Sequence, residues 1–173
     1  MKKLIILSPT CTGKTTFEGP KKDVTCNEFL SSHNYKPKGI NMGFTGTQVP
    51  LSHPLYLSLE EMYKIGVDIF YKSGNKCLVY NMVSHIPWLK NKYNEVEVKI
   101  VMVDENIHYE RYLKRIKKDK DHNKSFIELA KKSSPLINSQ WKWSYILEER
   151  AEYKRLSDIF NIKIYKTFEE AYI

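Results

Sequence analysis

The chain has 173 residues, of which 42% are hydrophobic and 28% are charged, and it carries a formal net charge of +8. This length and composition exclude two ordinary domains and a disordered chain, so we predict one domain spanning residues 1–173. No apolar run reaches the roughly 20 residues of a membrane helix, and the three cysteines lack metal-ligand spacing. We therefore expect a cytoplasmic protein with no membrane partner, whose positive charge favours an anionic ligand.

The first predicted element is a short buried strand, the apolar run at residues 4–7. The sequence SPTCTGKT follows at residues 8–15 and matches the phosphate-binding loop pattern G-x-x-x-x-G-K-[ST] at every defined position except the first. In such a loop, backbone N–H groups bind phosphates, Lys14 contacts the β and γ phosphates, and the Thr15 hydroxyl coordinates Mg²⁺. The sequence therefore predicts ATP and Mg²⁺ as cofactors. The predicted nucleotide-binding residues are Ser8, Thr10, Cys11, Thr12, Gly13, Lys14, Thr15 and Thr16.

The departure from the pattern is Ser8, which replaces its first glycine. Glycine adopts backbone angles that are costly for other residues, so serine fits only if φ stays negative or modest strain is tolerated. The alternative interpretation is an ordinary turn that leaves Lys14 on the surface. That interpretation does not explain why Gly13, Lys14 and Thr15 follow an N-terminal strand at this spacing.

Beyond the loop, residues 23–26 fit a short second strand, although a helix through residues 27–30 is an alternative. Residues 31–56 contain many turn-forming residues and no periodicity, which is typical of a substrate-side loop or of a disordered excursion. A helix then begins at the capping box of residues 58–61 and ends at residues 73–75. Its predicted apolar face comprises Leu59, Met62, Gly66 and Ile69.

The second half of the chain alternates strands and helices. Asp104 opens a basic helix, which a polar turn at residues 119–124 interrupts. Thr167 is predicted to cap a terminal helix. The predicted apolar face of the basic helix comprises Tyr109, Tyr112, Leu113 and Ile116. The other predicted elements are strands at 76–81, 96–103 and 162–165, a helix at 125–132, and a helix at 141–160 that buries Ile146, Tyr153, Leu156 and Phe160.

This alternation predicts an α/β fold with a mostly parallel five-stranded sheet and right-handed crossovers. In such sheets, ligands bind beyond the carboxyl ends of the strands, where the phosphate loop, Glu28, Asn81 and Asp104 are all expected. The strand at 76–81 ends at Asn81, without the aspartate that many P-loop proteins use to orient Mg²⁺. Thr15 and Asp104 are therefore the predicted metal-binding residues.

The order of these parts resembles that of the small P-loop kinases, which include nucleoside monophosphate kinases, nucleoside kinases and polynucleotide 5′-hydroxyl kinases. The shared parts are the phosphate loop, an early acidic residue after strand two and an arginine-bearing helix after strand four. The resemblance implies a three-layer P-loop fold with a helical lid at about residues 108–135. It also implies that the lid residues Arg111 and Arg115 are catalytic and balance charge on the transferring phosphoryl group; the alternative is a solvated basic helix face.

The positions of the arginines bear on the phosphate acceptor. No arginine precedes Arg111, whereas the monophosphate kinases generally hold the acceptor phosphate with arginines from the region before and around the third strand. The sequence therefore favours an acceptor that presents a hydroxyl. A carboxylate near the end of strand two then positions or deprotonates this hydroxyl; Glu28 is the first choice for this catalytic role and Asp23 the second.

The predicted function is that of an ATP-dependent phosphotransferase of the small P-loop kinase type, acting on a nucleoside or nucleotide. The first alternative is a polynucleotide- or DNA-directed kinase that phosphorylates a terminal or base-borne hydroxyl. The charge of +8 favours this nucleic-acid partner, and Trp141, Trp143 and Tyr145 could stack on bases, although the sequence favours anchoring of the C-terminal helix in the core as their role. The second alternative is a nucleotide-binding regulatory protein without transfer activity.

Overall fold

A computed structural model of the protein describes residues 2–9, residue 12, residues 55–122 and residues 143–173. The strand predicted at residues 23–26 and the helix predicted at residues 125–132 lie outside these ranges, as does nearly all of the loop predicted at residues 31–56. The described residues contain the sheet, the helices that cover it and part of the predicted phosphate loop.

Four parallel strands form the sheet that the structure describes. They are β1 (Leu4–Leu7), β2 (Cys77–Tyr80), β3 (Glu97–Val101) and β4 (Ile164–Tyr165), in the order β2-β1-β3-β4. The predicted α/β fold with a parallel sheet is confirmed, with four described strands rather than five. β1 and β2 are apolar and buried along their whole length, as expected when both faces of a parallel sheet are covered.

The register of the sheet brings the carboxyl ends of three strands together. Leu7 of β1 lies opposite both Tyr80 of β2 and Ile100 of β3. The residues that follow these three strands therefore share one edge of the sheet, which is the edge where ligands of such sheets bind.

Five helices accompany this sheet in the described part of the chain, and none of them is long and apolar enough to cross a membrane. They are α1 (Leu55–Lys72), α2 (His85–Lys92), α3 (Glu105–His122), α4 (Trp143–Phe160) and α5 (Phe168–Tyr172). Thr167 caps α5 as predicted, because its hydroxyl oxygen accepts a hydrogen bond of 3.2 Å from the Glu170 N–H.

Three helices differ from the sequence-based expectations. α1 begins at Leu55, so the predicted capping box of residues 58–61 lies within the helix and not at its start. The sequence pattern does not predict α2, whose eight residues include Pro87. The first turn of a helix tolerates proline because the N–H groups there have no acceptor within the helix. α3 continues to His122, so the turn predicted at residues 119–124 does not interrupt it at residue 119. Residues 119–122 contain neither glycine nor proline, and nothing in their sequence stops the helix.

Two clusters of buried side chains pack on opposite faces of the sheet. Ile5 and Leu7 belong to the larger cluster, together with residues of α1, α2 and α4, whereas Leu4 and Ile6 belong to the smaller cluster with α5. The alternation follows from the period of two along a strand. Cys77 is buried in the smaller cluster, where it acts as a small core residue.

The buried face of α4 is confirmed, and that of α1 is displaced from the prediction. On α1, Gly66 is buried as predicted but Ile69 only partly so, and the side chains of Leu59 and Met62 lie outside the description. Aromatic residues dominate the α1 contact because they bury the most apolar area. The buried α1 side chains are Tyr63, Val67 and Phe70. The buried α4 side chains are Ile146, Tyr153 and Leu156, with Phe160 packed against them.

Candidate functional site

The candidate site lies at the carboxyl edge of the sheet, where the predicted phosphate loop leaves β1. Ser8 is the first residue after β1, and its N–H donates a 3.2 Å hydrogen bond to the Tyr80 carbonyl at the end of β2. Asn81 is the first residue after β2, and Asp104 follows β3 by three residues. The structure thus places the start of the loop, Asn81 and Asp104 at the edge where the sequence predicts the ligand site.

The Ser8 hydroxyl fastens the loop to the sheet. Ser8 is fully buried, and its Oγ donates a 2.6 Å hydrogen bond to the Val101 carbonyl at the end of β3. The same oxygen lies 2.6 Å from Thr12 Oγ1, which also donates to the Pro9 carbonyl at 2.8 Å. The two hydroxyl groups carry one proton each, so the three contacts share two protons and the contact between the hydroxyls forms a hydrogen bond only when one hydroxyl turns away from its carbonyl. Hydrogen bonds therefore join the start of the loop to the end of β3, and join Ser8 and Pro9 to Thr12 within the loop.

The φ angle of Ser8 is not positive, so serine can occupy the position where the loop pattern has glycine. Among the described residues, Asn161 is the non-glycine residue with a positive φ, at 52°. Ser8 therefore carries no left-handed strain. It contributes instead a hydroxyl that glycine lacks, a role that the pattern itself does not reveal.

Arg111 brings α3 into contact with the loop. Its Nη1 donates a 2.5 Å hydrogen bond to the Thr12 carbonyl, and the rest of the side chain is exposed. Arg115 lies one helical turn further along α3 and is also exposed. A guanidinium has five N–H donors, so the bond to Thr12 occupies a fraction of the donors of Arg111. The structure thus brings one predicted catalytic arginine next to the predicted phosphate loop.

The buried face of α3 differs from the predicted apolar face. Tyr112 is buried as predicted, but Tyr109 and Leu113 are 43% and 46% exposed, and the side chain of Ile116 lies outside the description. The fully buried residue is His108. A polar residue occupies the inner face because a partner on α4 satisfies its hydrogen bond.

That partner is Arg150, which anchors the start of α3. Its Nη1 donates to the Val103 carbonyl at 2.8 Å and to His108 Nδ1 at 2.9 Å. Because guanidinium nitrogens only donate, His108 Nδ1 is the acceptor. Burial lowers the pKa of Arg150, while the nearby carboxylates of Glu105 and Asp104 raise it. Trp143 of α4 also packs on His108 and Tyr112, so it anchors α4 as one of its two predicted roles requires.

A second polar contact from α4 reaches the end of β2. Tyr153 donates its hydroxyl proton to Asn81 Oδ1 at 2.8 Å, and Asn81 Nδ2 donates to Glu149 Oε2 at 2.9 Å. Tyr153 is fully buried, Asn81 is nearly so, and Glu149 is half-buried. The sequence does not single out Glu149. The spacing of four residues to Tyr153 is the signal that places both on one face of α4.

Asp104, a predicted metal-binding residue, lies in an exposed ion pair. Its Oδ1 is 3.2 Å from Lys166 Nζ, and both side chains are at least half exposed. Its metal role remains a prediction. No three His, Cys, Asp or Glu side chains converge on a metal site within the part of the chain that the structure describes. Mg²⁺ nevertheless fits the donors at this edge, because proteins bind it through one or two carboxylates together with substrate phosphates and water.

A buried histidine ties β2 to α1 beneath the site. His85 Nε2 donates to the Glu60 carbonyl at 2.9 Å, and Nδ1 accepts from the Tyr80 hydroxyl at 2.7 Å. Ser84 donates to the Glu60 carboxylate at 3.0 Å. Burial lowers the pKa of His85 to about 4; the Glu60 carbonyl raises it, and Lys64 lowers it further. His85 is therefore neutral at physiological pH and links the two elements structurally.

Five predicted site residues are described, and the others lie outside the described ranges. The described ones are Ser8, Thr12, Asp104, Arg111 and Arg115; the others are Thr10, Cys11, Gly13, Lys14, Thr15, Thr16, Glu28 and its alternative Asp23. No protein-family model matches the chain, and no curated protein shows significant sequence similarity to it.

Proposed function

We propose that the protein is an ATP- and Mg²⁺-dependent phosphotransferase of the small P-loop kinase type that acts on a hydroxyl of a nucleoside or nucleotide. The observation that carries this proposal is the hydrogen bond from Arg111 to the Thr12 carbonyl. It unites an arginine-bearing helix with a loop of phosphate-binding pattern at the carboxyl edge of a parallel sheet. Phosphoryl transfer needs this combination, because the enzyme must both hold the phosphates and balance the developing charge.

Each residue then has a defined role. Lys14 neutralises the β and γ phosphates, and Arg111 and Arg115 offset charge on the transferring group. The acceptor hydroxyl oxygen attacks the γ phosphorus as the bond to the bridging oxygen of ADP breaks. The proton of that hydroxyl passes to a carboxylate, for which Glu28 is the first candidate and Asp23 the second. Mg²⁺, when bound, neutralises charge on the phosphate oxygens.

Lys14→Ala tests this function directly. The variant should lose phosphoryl transfer and bind ATP more weakly while it keeps its fold, because Lys14 contacts phosphates rather than the core. ATP affinity is measured by calorimetry, and transfer is measured with radiolabelled ATP and a panel of nucleosides and nucleotides. Unchanged ATP affinity in the variant contradicts the phosphate-loop assignment. ATP binding without transfer to any acceptor, including oligonucleotides, supports the regulatory nucleotide-binding alternative instead.

A nucleic-acid acceptor is the second candidate, because α3 presents a row of exposed cations. Tyr109, half-exposed beside this row, offers a ring on which a base can stack. The net charge of +8 points the same way. The exposed cationic side chains are Arg111, Lys114, Arg115 and Lys117.

Salt dependence separates the two acceptors. A protein that neutralises several nucleic-acid phosphates loses orders of magnitude in affinity between about 50 and 200 mM salt, whereas binding of a small acceptor changes little. Filter binding of oligonucleotides across this range measures the effect. Absence of oligonucleotide binding at low salt rules out the nucleic-acid acceptor.

A further inference from the structure

Three backbone carbonyl oxygens converge on the side-chain ammonium of Lys3, at the amino edge of the sheet. Lys3 Nζ donates hydrogen bonds to the carbonyls of Ser73 and Asn75, each at 2.7 Å, and to the carbonyl of Phe70 at 3.0 Å. We propose that these carbonyls form a binding site for a monovalent cation, which the Lys3 ammonium occupies as a ligand tethered to β1. The site lies at the edge opposite the candidate functional site, so this inference does not rest on the proposed function.

The fold places Lys3 in front of the C-terminal end of α1. α1 ends at Lys72, and the chain then turns to enter β2. Leu4, the first residue of β1, donates its N–H to the Lys76 carbonyl at 2.9 Å, which holds the start of β1 beside this turn. On the other side, the Lys3 carbonyl accepts a 2.9 Å hydrogen bond from the Glu97 N–H. The backbone of Lys3 is therefore fixed, and its side chain extends from the sheet to the end of the helix.

The end of α1 presents carbonyls that the helix itself cannot satisfy. The last four carbonyls of a helix have no donor within it, and Phe70 is among the last four residues of α1. The Ser73 N–H and hydroxyl both donate to the Phe70 carbonyl, and the Asn75 N–H donates to the Ser73 hydroxyl oxygen. These hydrogen bonds fix the turn so that the three carbonyls face one point. The C-terminal end of a helix also carries partial negative charge, which favours a cation there.

The chemistry of the site suits a small monovalent cation. A lysine ammonium has three N–H donors, which the three carbonyls match. The Phe70 ring adds a cation–π contact, with its centroid 4.6 Å from Nζ. Within the described ranges no carboxylate pairs with Lys3, so neutral dipoles balance its charge, and backbone carbonyls of this kind also bind K⁺ in place of water. Burial lowers the pKa of Lys3, and the charge of Lys76 lowers it further, as expected for a cation withdrawn from water.

Replacing the tethered cation with a free one tests the proposal. Lys3→Ala removes the ammonium and leaves the carbonyls in place, so its Tm in tetramethylammonium chloride should fall by about 5–10 °C relative to the unmodified protein in the same salt. Ammonium chloride at an equal concentration of about 0.5 M should restore about 2–4 °C, because an ion that binds only the folded state stabilises it by mass action. KCl should also restore part of the loss. Tetramethylammonium is too large for the site and has no N–H donors.

Lys2→Ala, which removes the exposed neighbouring lysine, is the matched control and should keep the Tm of the unmodified protein in every salt. Recovery of Lys3→Ala in ammonium and K⁺, with no such effect in the control, supports the proposal. An equal loss in all salts overturns it, because the carbonyls then hold the ammonium only as part of the lysine side chain. No loss in Lys3→Ala overturns it as well. If Lys3→Ala folds in none of the salts, Lys3→Met is measured in its place, and absence of recovery in ammonium overturns the proposal there.

Discussion

The Arg111 guanidinium donates a 2.5 Å hydrogen bond to the Thr12 carbonyl, although 99 positions separate the two residues in the sequence. The bond joins the first loop of the chain to the helix that follows β3. The bond therefore links α3 to the backbone of the predicted phosphate loop at Thr12. Arg111 consequently has two tasks in the proposed function, positioning the loop and stabilising the transferring charge.

Arg111→Ala should lower kcat by roughly 10³-fold, by analogy with arginines that act on phosphoryl transition states. ATP affinity should fall much less, because an interaction made mainly in the transition state affects the chemical step. Steady-state kinetics together with separate calorimetry of ATP binding measure both effects. Arg115→Ala tests the second arginine, and Lys90→Ala, which removes an exposed cation on α2, is the control. Near-normal turnover in both arginine variants contradicts their catalytic role and means that the basic face of α3 is simply solvated.

Ser8→Ala should destabilise the fold by about 1–3 kcal/mol, because it removes the hydroxyl that donates to the buried Val101 carbonyl and one of the two contacts of the Thr12 hydroxyl. Ser8→Gly restores the glycine of the pattern yet should be at least as unstable, since it removes the same hydroxyl and frees the unfolded backbone. Urea unfolding measures both variants. Ser144→Ala, at an exposed position on α4, should change stability by no more than about 0.5 kcal/mol. If Ser8→Ala is equally neutral, the hydroxyl contacts contribute nothing to stability.

His85 makes the fold sensitive to acid. Its pKa falls from 6.5 to about 4 on folding, so the unfolded chain takes up a proton before the folded one does. Its contribution to stability is therefore complete above about pH 6.5, decreases as the pH falls, and is lost below about pH 4. The expected loss from this group is about 2 kcal/mol by pH 5 and about 3 kcal/mol by pH 4.

The pH effect is measured by urea unfolding at several pH values, with His85→Gln as the comparison. The glutamine variant cannot take up this proton, so its stability should decline less steeply than that of the unmodified protein between pH 7 and 5. It should also start from a lower stability at pH 7, because the contacts to Tyr80 and Glu60 are disturbed. If the free energy of unfolding falls equally steeply with pH in both proteins, groups other than His85 cause the acid sensitivity.

Local sequence signals predict much of the sheet but little of the polar structure around it. The uninterrupted apolar runs of β1 and β2 are visible because covered parallel strands need no polar face. Thr167 is recognisable as a cap because its hydrogen bond spans three residues. The sequence pattern does not predict α2, because proline usually indicates the end of a helix. Pro87 is tolerated because it lies in the first turn.

The candidate site is less predictable because its contacts join distant parts of the chain. Glu149 and Asn81 meet across two elements, and neither position has a local pattern that points to the other. His108 is fully buried on a helix whose apolar residues suggest a different face, and its burial depends on Arg150. Such pairs depend on how the helices cross the sheet, which is a property of tertiary packing.

β1 is an interior strand of the described sheet, with β2 on one side and β3 on the other. Its pairing partners are distant in the sequence, because Leu4 lies opposite Cys77 on one side and Glu97 on the other. Pairing over such separations is slow to form. The interior of the described sheet therefore assembles only after two long loops have closed, so we expect this sheet to fold more slowly than a helical bundle of the same length.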